Sequence, residues 1–378
     1  MPQDSALYIH VPFCRHKCNY CSFVSYEHRE ADIPAYLRAL GVELSLQTAG
    51  ERLQSIYFGG GTPSLLSPVQ IGEILTDIQR LFHVKETAEI TIEANPGTVS
   101  LESLSDIRGV GINRLSLGIQ SLNDVELALM GRIHTGDEAR EAVRLARLAG
   151  FANLNLDLIY GLPGQSLTDW QHTLDAAAAI GAEHLSIYGL SLEPDTPLWQ
   201  AIQHKQIPAI DPDLSADQYE LTEDMLATYG YKHYEISNWA RPGYECRHNL
   251  AYWQNQPYLG VGVAAHSFIE GHRLANTGNL DKYLAAFPDN PAAAREMDEE
   301  ISPQLQLAEA AILGLRICDG LSLDWILFRF GVDLLDYYKQ PVAEMVEAGL
   351  LEHTGRQLQL TRRGRLLSNE VFWRLLPS

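Results

Sequence analysis

At about 150 residues per domain, the length of 378 residues predicts two or three domains with sizeable cores. The chain carries 28 Lys and Arg against 48 Asp and Glu, a net charge of −20, so we expect neither nucleic acid nor an anionic membrane surface as a partner. The sequence has no leader pattern and no apolar run near the roughly 18 residues of a spanning helix, which predicts a cytoplasmic protein without an integral membrane segment.

Six short β-like runs alternate with helical patterns through the first half of the chain. The strands are predicted near residues 6–10, 55–60, 89–95, 114–120, 153–161 and 184–190. Repeats of strand and helix predict an α/β fold with a parallel sheet curled into a barrel or partial barrel. Most of these runs end in Gly, Asn, Gln or Pro, so we expect the functional polar residues on loops at the C-terminal strand ends.

The pattern changes after about residue 212. A helix, an aromatic-rich stretch and a Gly/Ala segment follow, and residues 285–300 read as a polar connector. From residue 303, helical patterns, a hairpin and a last helix resemble a small winged-helix-like module. We therefore predict a core domain at 1–212, a barrel-closing extension and linker at 213–300, and a helical C-terminal domain at 301–378.

The strongest chemical signal is a group of three cysteines after the first predicted strand. Cys14, Cys18 and Cys21 form a C-x3-C-x2-C motif. Three thiolates can hold three irons of a 4Fe-4S cluster and leave the fourth iron open to a small molecule. A zinc site is the main alternative, because His10 or His16 could add a fourth ligand, and purely structural cysteines are a third interpretation.

The segment YIHVPFCRHKCNYCSF at residues 8–23 resembles the signature of radical S-adenosylmethionine (SAM) enzymes. Over nearly the whole chain, the sequence is similar to the group of oxygen-independent coproporphyrinogen oxidases and HemW heme chaperones. This resemblance implies a partial (β/α)6 TIM-like radical SAM barrel with a HemN-type C-terminal domain. It also implies that SAM chelates the open iron, and that the reduced cluster can split SAM to a 5′-deoxyadenosyl radical.

The resemblance also implies a set of SAM-binding residues, although each alone could be a cap, a turn or a surface residue. The segment GGGTP at residues 59–63 resembles the GGE-type segment that binds the amino and carboxylate groups of SAM. The implied SAM contacts are Tyr8, Gly60, Glu93, Gln120, Arg132 and Asp157. Tyr20, Gly61 and Thr62 match positions that contact a second SAM molecule in the oxidase relatives.

Three departures from the oxidases favour the chaperone branch. The oxidases usually have another cysteine two residues after the third cluster cysteine, where this sequence has Phe23. They also have an N-terminal extension before the first strand, which we expect this protein to lack. His266 occupies a position where the oxidases have an aliphatic SAM contact.

The motif HNxxYW at residues 248–253 predicts a heme contact within the chaperone interpretation. A neutral imidazole is a good axial ligand for heme iron, and aromatic neighbours suit a flat porphyrin, so His248 is the predicted contact. A core histidine with satisfied hydrogen bonds is the structural alternative, and the Cys246 thiolate is an alternative ligand. The oxidase relatives share this motif, so it does not separate the two branches.

The sequence therefore predicts a cytoplasmic heme chaperone that holds a 4Fe-4S cluster, SAM and heme, and delivers heme to hemoproteins such as respiratory enzymes. The alternatives are an oxygen-independent coproporphyrinogen III oxidase and a radical SAM enzyme with another substrate. No catalytic residue is assigned. Without a C-x-x-C-H attachment motif we predict noncovalent heme binding, and we expect a homodimer whose formation depends on the cluster.

Overall fold

A computed structural model describes residues 4–47, 52–287 and 289–377. The fold is α/β and is built on one twelve-stranded mixed sheet. Its strands lie in the order β14 (Arg295–Glu300), β13 (His272–Asn276), β12 (His266–Ile269), β11 (Tyr258–Val261), β1 (Asp4–Val11), β4 (Arg52–Gly60), β5 (His83–Ala94), β6 (Arg114–Gln120), β7 (Leu154–Tyr160), β8 (His184–Gly189), β10 (Asn238–Ala240) and β9 (Lys232–Glu235). Within the described residues the sheet is open, with β14 and β9 at its edges. The predicted α/β fold is therefore confirmed, and the sheet does not close into a barrel within the described residues. None of the described helices is long and apolar enough to span a membrane.

The first half of the chain alternates strands and helices as predicted. The strands are β1 (Asp4–Val11), β2 (Phe13–Cys14), β3 (Tyr26–Glu27), β4 (Arg52–Gly60), β5 (His83–Ala94), β6 (Arg114–Gln120), β7 (Leu154–Tyr160) and β8 (His184–Gly189). The helices are α1 (Ile33–Leu46), α2 (Pro68–Leu81), α3 (Leu101–Gly109), α4 (Asp124–Leu129), α5 (Gly136–Leu148), α6 (Leu167–Ile180) and α7 (Pro197–Gln203). Strands β1, β4, β5, β6, β7 and β8 run parallel, so their C-terminal ends share one rim.

Reciprocal caps define where four of the helices on this side begin. In each case a Ser or Thr accepts a hydrogen bond from the backbone three residues later, and that later side chain returns one. The pairs are Ser67 with Gln70, Ser100 with Ser103, Thr135 with Glu138, and Ser166 with Asp169. Each of these caps fixes the residue at which its helix begins.

The middle of the chain extends the sheet on both sides. It contains α8 (Pro212–Thr228), β9 (Lys232–Glu235), β10 (Asn238–Ala240), α9 (Arg247–Trp253), β11 (Tyr258–Val261), β12 (His266–Ile269), β13 (His272–Asn276), α10 (Leu280–Ala286) and β14 (Arg295–Glu300). The predicted polar connector is wrong for residues 295–300, which pair with β13 as an edge strand. All six residues of β14 are exposed. A charged edge strand of this kind has no alternation of apolar and polar residues, so the sequence pattern does not reveal it.

The C-terminal region is mainly helical, as predicted. Its elements are α11 (Pro303–Leu315), β15 (Leu321–Ser322), α12 (Leu323–Phe330), α13 (Leu334–Tyr337), α14 (Lys339–Glu347), β16 (Leu351–Thr354), β17 (Gln357–Leu360), α15 (Arg362–Leu366) and α16 (Ser368–Trp373). The predicted hairpin is β16 with β17, and β15 joins it in a small sheet. This region has its own apolar core but packs on the larger domain, where Arg362 and Arg365 pair with Glu223 of α8.

Candidate functional site

The three clustered cysteines line one cavity at the C-terminal rim of the parallel strands. Cys14 is the last residue of β2 and is buried, whereas Cys18 and Cys21 lie half-buried on the loop that follows. The cavity has a volume of about 440 Å³. We call it the thiol cavity.

The geometry around the cysteines does not favour the zinc alternative. Among the described residues, no three His, Cys, Asp or Glu side chains come close enough to hold one metal ion. His10 has both ring nitrogens engaged, since Nδ1 accepts from the Tyr8 hydroxyl at 3.1 Å and Nε2 donates to the Val24 carbonyl at 2.8 Å. His16 pairs with Glu27 at 2.9 Å. In a 4Fe-4S cluster each thiolate binds a different iron, so three separated thiols on one cavity wall fit that group.

The glycine segment that ends β4 packs directly on the cysteine loop. The Gly61 amide donates to the Val11 carbonyl and the Thr62 amide donates to the Phe13 carbonyl, both at 2.8 Å. The Thr62 hydroxyl lies 3.7 Å from the Cys14 sulfur. A Cβ on Gly61 would lie 2.6 Å from the Phe13 carbonyl oxygen, so only glycine permits this approach.

Gly60 is equally constrained, and its replacement gives a first prediction. Its φ is +112°, and a Cβ would lie 2.7 Å from the ring of His10, which Tyr8 and Val24 hold in place. We expect Gly60→Ala to lower the free energy of unfolding by roughly 3 kcal/mol or more, because backbone strain and a steric clash combine. Gly164 is the matched control, since its φ is +79° but no atom lies within 4 Å of its Cβ position.

For Gly164→Ala, strain alone should cost about 1 to 2 kcal/mol. Urea unfolding of both variants measures the difference. An equal loss of unfolding free energy in the two variants would show that the clash between a Cβ at position 60 and the His10 ring adds nothing to the backbone strain.

Arg132 connects the cysteine loop to the ends of β5 and β6. Its guanidinium lies 3.2 Å from the Cys18 sulfur and donates to the Asn95 side chain and the Gly118 carbonyl, both at 2.5 Å. Asn95 in turn donates to the Thr62 hydroxyl at 2.9 Å. The Nε of Arg132 is buried and has no hydrogen-bond partner among the described residues. Arg132 lines the thiol cavity, and a guanidinium there suits an anionic ligand group.

Glu93 is half-buried and lines the thiol cavity. It accepts hydrogen bonds from the Tyr57 hydroxyl at 2.8 Å and from the Gly60 amide at 3.2 Å. Burial, followed by repulsion from Asp157, raises the pKa of Glu93 to about 7. The group therefore changes charge near neutral pH when no ligand is present.

Asp157 lies on β7, across the sheet from Glu93. Its carboxylate accepts from Asn155 at 2.8 Å and from Ser116 at 3.1 Å, while burial raises its pKa. The buried guanidinium of Arg114 acts in the opposite direction and lowers this pKa. Polar side chains of β6 and β7 thus hold the Asp157 carboxylate in place.

The thiol cavity brings together most of the residues that the sequence singled out. Besides the three cysteines, it is lined by Tyr20, Gly60, Gly61, Thr62, Glu93, Gln120, Arg132 and Asp157. Gln120 has a φ of +63°, a left-handed conformation that is uncommon outside glycine and that turns its chain at the end of β6. Tyr8 does not line this cavity and instead faces a second, larger cleft.

His248 is buried in the first turn of α9, beside β4. Its ring nitrogens are hydrogen-bonded to the Ser55 hydroxyl at 3.0 Å and the Tyr252 hydroxyl at 2.8 Å, and its ring stacks on Tyr57. Burial, with the nearby charge of Arg114, lowers the pKa of His248 to about 3. The imidazole is therefore neutral, and heme contact would require it to give up one of these partners.

Cys246, the alternative ligand, is buried at the N-terminus of the same helix. Its sulfur lies 3.4 Å from the Glu89 carboxylate, which also accepts from the Arg247 and His248 amides. Burial raises the pKa of this thiol to about 12. It is thus a protonated group that supports a helix start rather than a free thiolate.

Sequence reasoning missed Asn95, Tyr57 and Arg114. Asn95 links Thr62 to Arg132, Tyr57 holds Glu93, and the charge of Arg114 acts on both cavity carboxyls. A signal existed for Asn95, which follows Glu93 at the end of β5, where α/β sites are built. Arg114 is the first residue of β6 and is buried, and a buried arginine is uncommon enough to be informative.

Comparison with known proteins assigns the class first. Residues 8–177 match the family model of the Radical SAM superfamily, and residues 301–367 match that of the HemN C-terminal domain. The structure of the coproporphyrinogen III oxidase HemN from Escherichia coli superposes with a TM-score of 0.86 at 26% identity. That alignment covers 99% of this chain and 90% of the oxidase.

The relatives then specify the branch. The Bacillus subtilis protein named heme chaperone HemW is 35% identical over 97% of both chains. The Haemophilus influenzae heme chaperone HemW is 40% identical over 74% of this chain and 73% of its own length. A Bos taurus mitochondrial protein named radical S-adenosyl methionine domain-containing protein 1 is 35% identical over 99% of this chain and 88% of its own. The chain therefore belongs to the HemW family of radical SAM proteins.

Membership of the radical SAM superfamily implies a 4Fe-4S cluster and SAM. The donor set fits both groups, because three thiols, a guanidinium and two carboxyl groups line the thiol cavity. When bound, the cluster supplies an electron that can cleave SAM to a carbon radical. The three thiols of the thiol cavity would hold the cluster, and its polar side chains would bind and orient SAM.

Proposed function

We propose that this protein is a heme chaperone, which binds heme and passes it to recipient hemoproteins such as respiratory enzymes. The observation that carries the proposal is the end-to-end similarity to relatives named heme chaperone HemW. Phe23 supports it, because it stands where the oxidases have a further cysteine. It is 67% exposed beside the cysteine loop, so nothing in the packing demands an aromatic ring there.

Within this proposal, Cys14, Cys18 and Cys21 hold the cluster. The Arg132 guanidinium binds the SAM carboxylate, since its planar fork matches that group. Glu93 accepts from ribose hydroxyls in its ionised form. The remaining assignments place Gly60, Gln120 and Asp157 around SAM, Tyr8 behind it, Tyr20, Gly61 and Thr62 at a second SAM position, and His248 at heme.

The alternative function is oxygen-independent coproporphyrinogen III oxidation. It is favoured by the TM-score of 0.86 with the oxidase from Escherichia coli and by the thiol cavity, which either function would use. In that reaction a radical removes a hydrogen atom from a propionate side chain before decarboxylation. The alternative therefore predicts multiple turnovers on a porphyrinogen, whereas the chaperone proposal predicts stoichiometric heme binding without turnover.

Two measurements on the same cluster-reconstituted sample separate the functions. We expect heme titration to saturate and anaerobic incubation with SAM, a reductant and coproporphyrinogen III to yield no protoporphyrinogen. Catalytic product formation would favour the oxidase. Failure to bind heme, from protein with an intact cluster, would overturn the chaperone proposal.

The proposal also includes a cytoplasmic location and domain limits at residues 1–212, 213–300 and 301–378.

We further propose a homodimer that forms when the cluster is present. The dimer predicts a change in hydrodynamic size on cluster assembly. Light scattering before and after anaerobic reconstitution measures it. An unchanged molar mass would exclude this part of the proposal.

A further inference from the structure

A second cavity, which we call the aromatic cleft, opens between the extended sheet and the C-terminal region. Its volume is about 790 Å³, within the roughly 300 to 1,000 Å³ typical of small-molecule and cofactor sites. One wall is the β12–β13 hairpin and another is α11, which contributes Ile312 and Leu313. Trp253 and Tyr258 line it between these walls. The lining is mostly apolar and aromatic, as a flat hydrophobic ligand requires.

The cleft contains a histidine without a partner. His266 is the first residue of β12 and is exposed, and its ring makes no hydrogen bond, ion pair or ring contact within the described parts of the chain. Residues two apart on a strand share a face, so His266 and Phe268 project together into the cleft. His10 and His248, by contrast, have both ring nitrogens engaged.

The cleft adjoins the thiol cavity. Ser22 and Phe23, directly after Cys21, line both spaces. A planar ligand in the aromatic cleft would therefore meet the Phe23 ring on the side facing the cysteine loop. Phe23, which replaces the further cysteine of the oxidases, thus lies between the two cavities.

We propose that the aromatic cleft is the heme site and that His266 supplies the iron ligand. This inference rests on the proposed chaperone function and deepens it. An imidazole nitrogen of His266 donates its lone pair to the iron, so a coordination bond forms without a change in oxidation state. Arg273, on the same hairpin, could bind a heme propionate. The propionate would compete for this guanidinium with Glu309 and Glu299, which pair with it in the structure.

His248 has a different role in this arrangement. The hydroxyl of Tyr252 lines the cleft and is hydrogen-bonded to Nε2 of His248 at 2.8 Å. His248 is therefore a positioning residue behind the cleft wall. Its loss should weaken heme binding without changing the ligand that the iron sees.

The test is a titration of the full-length, cluster-reconstituted protein with ferric heme, followed by Soret absorbance and electron paramagnetic resonance. We compare His266→Ala with His272→Ala, a matched control on the neighbouring strand whose histidine pairs with Asp298 outside the cleft. Because both histidines are exposed, and His266 makes no hydrogen bond or ion pair within the described residues, we expect both variants to unfold near the wild-type temperature. His266→Ala should lower heme affinity at least about tenfold and change the spectra. Loss of a direct metal ligand lowers affinity more than loss of an outer-shell partner, which costs about 10- to 100-fold.

Two further variants separate ligation from packing. Added imidazole should restore the wild-type spectrum to His266→Gly, which a purely structural role would not allow. His248→Ala should keep the wild-type ligand signature.

Equal heme affinity in His266→Ala and His272→Ala would overturn this assignment. So would loss of the spectroscopic signature of the iron ligand in His248→Ala alone. Either result would leave the chaperone proposal standing. Absence of heme binding by the wild-type protein would overturn both.

Discussion

Replacing Cys18 by Ala is expected to abolish assembly of the cluster. The thiol lies half-buried on the wall of the thiol cavity, 3.2 Å from the Arg132 guanidinium, and no other described cysteine lines that cavity besides Cys14 and Cys21. Loss of an outer-shell partner costs about 10- to 100-fold in metal affinity, and loss of a direct ligand costs more. Iron and sulfide content after anaerobic reconstitution should fall to background, and SAM affinity should fall with it.

Cys318→Ala is the control for this experiment. Cys318 is also half-buried, but it lies far along the chain, beside β9, where its amide donates to the Tyr234 carbonyl. This variant should reconstitute like the wild type. If Cys18→Ala assembled a normal cluster, or both variants lost it equally, the assignment of the three-cysteine motif would be wrong.

Replacing Glu93 by Gln should make the cluster-free protein more stable at alkaline pH while impairing SAM binding. The carboxyl has a pKa of about 7 when folded, against an ordinary value of 4.5. A raised pKa in a carboxyl group means that the folded state resists ionisation, so stability falls as pH rises from about 4.5 to 7 and then levels off. The cost at pH 8 is about 3 kcal/mol. Losing one hydrogen bond from Tyr57 or Gly60 returns about 1 kcal/mol of it.

We therefore expect Glu93→Gln to unfold with about 2 kcal/mol more free energy than the wild type at pH 8, and to lose that advantage at pH 5. Urea unfolding at both pH values measures it, with the exposed Glu86→Gln on the same strand as control. SAM affinity of the wild type should weaken below pH 7, whereas that of Glu93→Gln should be low at every pH. A pH-independent effect on stability would contradict the account.

Much of the site was predictable because its chemistry is local in sequence. The glycine triplet, Glu93 and Gln120 lie at the C-terminal ends of parallel strands, and such ends share one rim. That rule brings Glu93 and Gln120 together without knowledge of side-chain packing, whereas Asp157 lies in the middle of β7. The resemblance to a known family added the ligand, since strand ends alone do not name one.

The rest depended on contacts between distant parts of the chain. The sequence could not show that the Tyr8 hydroxyl bonds to His10 or that Tyr8 lines the aromatic cleft. Nor could it show the hydrogen-bond partners of His248, which are Tyr252 and Ser55, the latter 193 residues away in sequence. Strand β14 escaped prediction because an exposed, charged edge carries no apolar alternation.

The most direct test of the central claim is transfer of heme to a recipient. Heme-loaded protein is mixed with a heme-free hemoprotein, and the recipient's activity and spectrum are followed against an equal amount of free heme in buffer. The account predicts that heme leaves this protein and restores the recipient faster than free heme does. Retention of heme, or restoration no faster than from free heme, would contradict a chaperone function.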